Sequence, residues 1–222
     1  MKALKLKLYQ ETVCYKKPIS FKVTETYPLP PYSTIIGFLY NIIDAKSGDR
    51  YDMNVSVQGE YESILNSFNT LRFYKANSIT TRPINVNMLF GVNLIIHVVA
   101  DEELLEKIVN GFKKKNETFT LGRREDLVRL DYIGYVELNE ITEEDEDYLN
   151  DGYILRHSIY IPNSYNATTS GIGFKLNKNY DLVNGIRKWE KVEAKYVEEG
   201  NKIVEIPILI DNSNEKDIVF LG

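Results

Sequence analysis

"TLGRREDLVRLDYIGYVEL", Thr120 to Leu138, decides how the rest of the chain is read. Its second part alternates apolar and polar residues with the period of two of a half-buried strand, and Gly122, Arg123 and Arg124 stand directly ahead of it. This Gly-Arg-Arg elbow has two readings. A glycine between a helix and a strand lets successive backbone N–H groups converge on an anion, and paired arginines beside it can grip phosphate bidentately. The alternative is a turn glycine with arginines that are solvated or paired to Glu125 and Asp126.

Working outward, "ALKLKLY" alternates in the same way, with Leu4, Leu6 and Leu8 on one side and Lys5, Lys7 and Tyr9 on the other, and makes a first strand. The prolines of "YPLPPYST" stiffen the approach to a helix that Ser33 or Thr34 can cap; Ile35, Ile36, Leu39, Ile42 and Ile43 form its apolar stripe, ending near "KSGD". "MNVSVQGEY" is a second strand, and "GVNLIIHVVA", apolar on both faces, is a central third. "DEELLEKIVNGFKKK" is an amphipathic helix with acids in its first turn and lysines in its last, matching the helix dipole. The fourth long strand runs from about Leu127 to Leu138. Strand, helix, strand, strand, helix, strand is the split pattern of ferredoxin-like and RNA-recognition folds, which leaves one face of the sheet open. The expected fold is therefore α+β: a βαββαβ domain over residues 1–140, followed by a small β-rich part over 141–222, where short strand candidates alternate with turn signals.

Composition bounds the function. A net charge of −5 argues against indiscriminate coating of nucleic acid, yet the charges segregate: Glu140 to Asp151 is strongly acidic and reads as a solvated linker, whereas Lys113, Lys114, Lys115, Arg123 and Arg124 cluster. One cysteine and two histidines cannot assemble a Cys/His metal site, so neither metal nor cofactor is expected. The apolar runs are too short for a membrane span and the first residues alternate instead of forming a signal peptide, which points to the cytoplasm.

Asn69 to Leu89, "NTLRFYKANSITTRPINVNML", lies between two strands that need only a few connecting residues. Arg72, Tyr74, Lys75 and Arg82 mix cations with aromatics there, chemistry that holds a backbone by charge and bases by stacking; a hairpin extension packed on a neighbour is the other reading. Lys16 and Lys17 follow the first strand and, with Lys5, Lys7 and Tyr9, either touch RNA or form a solvated face. His97 reads as a packed residue and His157 as packed or functional; neither stands in a recognisable acid–base constellation, so no catalytic residue is assigned.

"TYPLPPYSTIIGFLYNII", "LRFYK" with "TTRPINVNML", and "TLGRREDLVRLDYI", in that order, resemble the CRISPR-associated Cas family five of the RAMP superfamily, and "YILRHSIYIP" is similar to members from type I systems, subtype I-B among them. The resemblance implies a noncatalytic subunit of Cascade that caps the 5′ repeat-derived handle of the CRISPR RNA. It implies as partners the backbone subunit of family seven, the large subunit of family eight and, through the guide, foreign target DNA. It makes 69–89 a thumb crossing the guide and Leu121 to Glu125 a socket for the handle. A branch of the family implies the alternative activity, a metal-independent endoribonuclease that processes precursor CRISPR RNA.

Overall fold

The computed structural model describes residues 1–18, 23–46, 48–141, 152–203 and 208–222, so most of the acidic linker lies outside the described residues. The N-terminal part comprises β1 (Lys2–Val13), β2 (Val23–Thr24), α1 (Tyr32–Ile42), β3 (Met53–Glu60), β4 (Ser63–Lys75), β5 (Ser78–Ala100), α2 (Glu102–Lys114), β6 (Phe119–Thr120) and β7 (Leu127–Ile141). Beyond it run β8 (Tyr153–Ile154), β9 (Ser158–Pro162), β10 (Ile172–Val183), β11 (Ile186–Val197), β12 (Lys202–Ile203), β13 (Ile208–Asp211) and β14 (Ile218–Val219). One large sheet carries the strand order β10-β11-β9-β3-β5-β1-β7-β13-β14, antiparallel throughout this path. The later strands extend the earlier sheet at both edges, β9 on β3 and β13 on β7.

The two helices cover one face of the sheet. Leu4, Leu6 and Leu8 of β1, Val55 and Val57 of β3, and Leu94, Ile96 and Val98 of β5 meet Ile35, Leu39 and Ile42 of α1 and Leu104, Leu105, Ile108 and Phe112 of α2. Asp101 caps α2 by accepting the Leu104 N–H at 2.7 Å, with Glu102 and Glu103 in the first turn and Lys113 and Lys114 in the last. Gly111 lets the helices touch, since a Cβ there would lie 2.4 Å from the Ile42 carbonyl oxygen. The first helix departs from the sequence reading at both ends. It starts at Tyr32, before Ser33 and Thr34, because Pro31 already holds the φ of a helix start, and it stops at Ile42, where Asp44 turns left-handed at φ +53°.

Two further departures shape the functional face. The alternation of β7 is broken: Lys7 faces Tyr132 while Leu8 faces Leu130, so Asp131 is an extra residue in a β-bulge. The face opposite the helices is not fully open either. From β13 the chain crosses it, Gln58 donating to the Ile218 carbonyl at 2.9 Å and Ser56 Oγ accepting the Phe220 N–H at 3.2 Å. It ends with the Gly222 N–H on the Val55 carbonyl of β3. Ile208, Ile218 and Phe220 drive this strap, because they complete a second core with Leu155, Ile159, Ile161 and Val197.

Candidate nucleic-acid interface

The strap divides the polar face in two. In the covered half, Lys5 and His97 stand opposite each other on β1 and β5. Lys5, with a side chain 1% exposed, reaches Asp217 at 2.6 Å, Asp211 at 2.8 Å and Glu215 at 3.0 Å. His97 Nε2 lies 2.9 Å from Asp211 Oδ2, and Ser213 Oγ donates to Asp211 Oδ1 at 2.6 Å. Burial alone would lower the Lys5 pKa, but hydrogen bonds to Asp211, Asp217 and Glu215 outweigh it and hold the ammonium above the usual lysine range. Burial would likewise raise Asp211, yet bonds from His97, Lys5 and Ser213 leave its carboxyl well below the usual carboxylate range. Lys5 therefore cannot touch RNA as a solvent-facing lysine would, and His97, fully buried, is a packing and hydrogen-bonding residue.

The other half stays open. Between the strap and the base of the β4–β5 hairpin is a hollow of about 330 Å³ lined by Lys7, Glu60, Asn93, Asp131, Arg156 and His157 over Ile95; Leu8 and Leu94 border it too, but their side chains point to the helix-covered face. Lys7 pairs with Glu215, and Arg156 Nη2 donates to the Lys216 carbonyl at 3.1 Å. His157 Nδ1 is 3.8 Å from Glu60 Oε2. At the rim, Arg129 is paired to Asp131 and lies over the Tyr9 ring, 4.7 Å from its centroid. A larger groove, about 580 Å³, runs between α1 and the β10–β11 hairpin. Several of its cations are already engaged: Arg50 by Asp181 and Glu190, Lys178 by Asn54, and Arg187 over the Tyr180 ring.

The elbow holds an anion, and that anion is the protein's own Asp126. Gly122 adopts φ +110°, where a side chain is strained, and a Cβ would press within 3.0 Å of Asp126 and Val13. Buried Asp126 accepts the backbone N–H groups of Arg123 at 2.9 Å and Cys14 at 3.2 Å. The Arg123 guanidinium closes on the same carboxylate, Nη2 to Oδ1 at 2.7 Å, and Nη1 lies 3.3 Å from Glu125. Arg123 is thus committed to the turn, whereas Arg124 is exposed. Gln10 ties the elbow to β1 by donating to the Leu121 and Leu127 carbonyls at 2.9 and 3.1 Å.

Residues 69–89 belong to a β-hairpin arm whose strands pair from Ser63↔Phe90 out to Lys75↔Ser78, so that β5 runs from the arm into the centre of the sheet. Alternation places Phe68, Arg72 and Tyr74 on one face and Leu71, Phe73, Lys75 and Arg82 on the other. All are exposed, Phe68 by 79% and Tyr74 by 72%. The arm and the elbow meet where Arg123 Nη2 lies 3.8 Å from Met88 Sδ. Of the two loop lysines, exposed Lys16 bridges Thr26 through its backbone, and Lys17 pairs with Glu25 at 3.3 Å beside Phe174 and Tyr27. The structure thus brings Arg72, Tyr74, Lys75, Arg82, Gly122 and Arg124 to one end of the sheet. Sequence reasoning missed Glu60, Asn93 and Arg129; the skipped period at Asp131 is the signal that marked the bulge beside them.

The family model described as CRISPR-associated protein (Cas_Cas5) matches residues 3–171, most of the chain, and this protein belongs to that family. No curated protein matches it. Among solved structures, it is similar to a chain of a CRISPR RNA-guided surveillance complex, with a TM-score of 0.60 at 13% identity, covering 92% of this chain and 91% of that one. That likeness shows a shared fold. A CRISPR protein from Archaeoglobus fulgidus aligns over 100% of this chain and 99% of its own with a TM-score of 0.49 at 12% identity. A chain of a Type III-B Cmr-beta complex bound to cognate target RNA and AMPPnP aligns over 90% and 85% with a TM-score of 0.48 at 13% identity. No helix among the described residues is long and apolar enough to cross a membrane.

Proposed function

We propose that this chain is a noncatalytic subunit of a type I CRISPR effector of subtype I-B, that it holds the 5′ repeat-derived handle of the CRISPR RNA, and that it works in the cytoplasm. On this reading the core β3-β5-β1-β7 with α1 and α2 is the ferredoxin-like RAMP unit, and 141–222 is an accessory β-rich part with its own small core. The arm lies across the guide, and Arg124, Lys16 and the arm's cations hold phosphates, with Arg123 fixing the elbow that presents them. Subunits of families seven and eight take the remaining protein contacts, and foreign DNA is met through the guide. The observation that carries this is the arm itself: a hairpin with aromatics and cations exposed on both faces, rooted against the elbow, is a surface built for a partner.

The test is a salt titration of binding between the purified protein and repeat-derived RNA. Affinity falls steeply with salt, and Arg124→Ala or Arg82→Ala each lowers the slope by about one without changing sequence choice. Binding that ignores salt, or no binding, would sink the reading. The second reading, endoribonuclease activity, draws on the partly exposed His157 beside Glu60 in the hollow. It requires specific cleavage of repeat RNA in EDTA that His157→Ala abolishes.

A further inference from the structure

We infer that the hollow between the strap and the arm takes one unstacked guanine of the bound RNA, read by Glu60. This rests on the RNA-holding reading above and adds a base-specific site to it. The starting point is which groups in the hollow are already engaged. Glu215 is held by Lys5 and Lys7, Asp217 by Lys5, Asp131 by Arg129, and Arg156 by the strap carbonyl. Glu60, Asn93 and His157 remain. Among the described residues Glu60 has only His157 Nδ1 near it, at 3.8 Å and beyond a hydrogen bond, and that buried nitrogen has no partner.

A carboxylate accepts only, through two oxygens side by side. Guanine is the base whose edge offers two adjacent donors, N1–H and the N2 amino group. Adenine and cytosine set a ring-nitrogen acceptor beside their amino donor and would turn a lone pair against the second oxygen. Uracil flanks its single N–H with carbonyls. Guanine's remaining edge carries acceptors, O6 and N7, which suit the Asn93 amide. Ile95, opposite Lys7 on this face of the sheet, gives the base an apolar contact at the floor of the hollow. The cavity, about 330 Å³, lies at the small end of ligand sites and admits one base with its sugar. The Arg129–Tyr9 stack at the rim supplies a plane for the next base.

An arginine from a protein partner carries a similar donor fork, and charge does not choose against it, since Lys5, Lys7, Arg129 and Arg156 stand against Glu60, Asp131, Asp211, Glu215 and Asp217. The RNA-holding reading favours guanine, and an arginine probe in the experiment below tests the other occupant directly.

The experiment uses eight-nucleotide RNAs of uridine with one guanosine, inosine or adenosine at successive positions. The wild-type protein should favour guanosine over adenosine by about tenfold at one position, with inosine, which lacks the N2 amine, in between. Isosteric Glu60→Gln should erase that preference while all-uridine RNA still binds with a steep salt dependence. In proton NMR the His157 ring signals should move with guanosine monophosphate and not with uridine monophosphate, while buried His97 serves as internal control. Uridine RNA binding without a guanosine preference, a preference that survives Glu60→Gln, or a His157 response to acetyl-arginine amide alone overturns the inference. Failure to bind any RNA overturns the RNA-holding reading instead.

Discussion

Lys5 and Lys7 sit two residues apart on the same strand and point to the same face of the sheet, yet they live in different chemistry. Lys5 lies under the strap, buried against Asp211 and Asp217, while Lys7 stands at the edge of the hollow with a third of its side chain exposed. The covered half is a structural clasp and the open half is a surface. What separates them is a segment more than two hundred residues away in sequence, whose apolar residues had to be buried somewhere.

The sharpest way to break this contrast is Lys5→Ala. Removing the cation leaves Asp211 and Asp217 buried beside it, and stability should fall by about 3–5 kcal/mol, read as a lower urea midpoint; Lys7→Ala should change it by less than about 0.5 kcal/mol. Equal effects of the two substitutions would erase the distinction. A second measurement follows the clasp with pH. The folded pKa of Asp211 lies below its unfolded value, so its contribution is complete above about pH 4 and is lost as pH falls through the depressed folded value. Lys5 mirrors this: its contribution is complete below about pH 10 and is lost only as pH rises through its raised folded value. Urea midpoints should therefore decline in acid, and Asp211→Asn should start lower and decline less; parallel curves would remove the clasp as the cause.

The elbow repeats the contrast on adjacent residues and a smaller scale. Arg123→Ala removes a charged hydrogen-bond partner of buried Asp126 and should cost about 1.5–3 kcal/mol in unfolding. Arg124→Ala should leave stability within about 0.5 kcal/mol and weaken RNA binding instead. The smallest expected change in stability is that of Phe68→Ser on the arm, near zero because the ring is already exposed, with its consequence seen in partner binding.

The local elements were legible because short-range patterning dictates them. The period of two in β1 and β3, the acids and lysines at the two ends of α2, and the glycine of the elbow each appear where their residue types require. Both readings of the elbow were open in the sequence, and the fold pairs Arg123 with Asp126 inside the turn. The hollow was not legible. Glu60, Asn93, Asp131 and His157 come from four separate stretches of chain, and nothing in their spacing connects them.

The sequence by itself determined β1, β3, the centre of β5, β7, the cores of the two helices and the kinship, since periodicity and ordered motifs are properties of neighbouring residues. Only the tertiary structure decided which lysine is buried, which arginine is committed and where the sheet stays open. Those outcomes depend on where the C-terminal apolar residues find their core, and burial is a property of distant segments brought together.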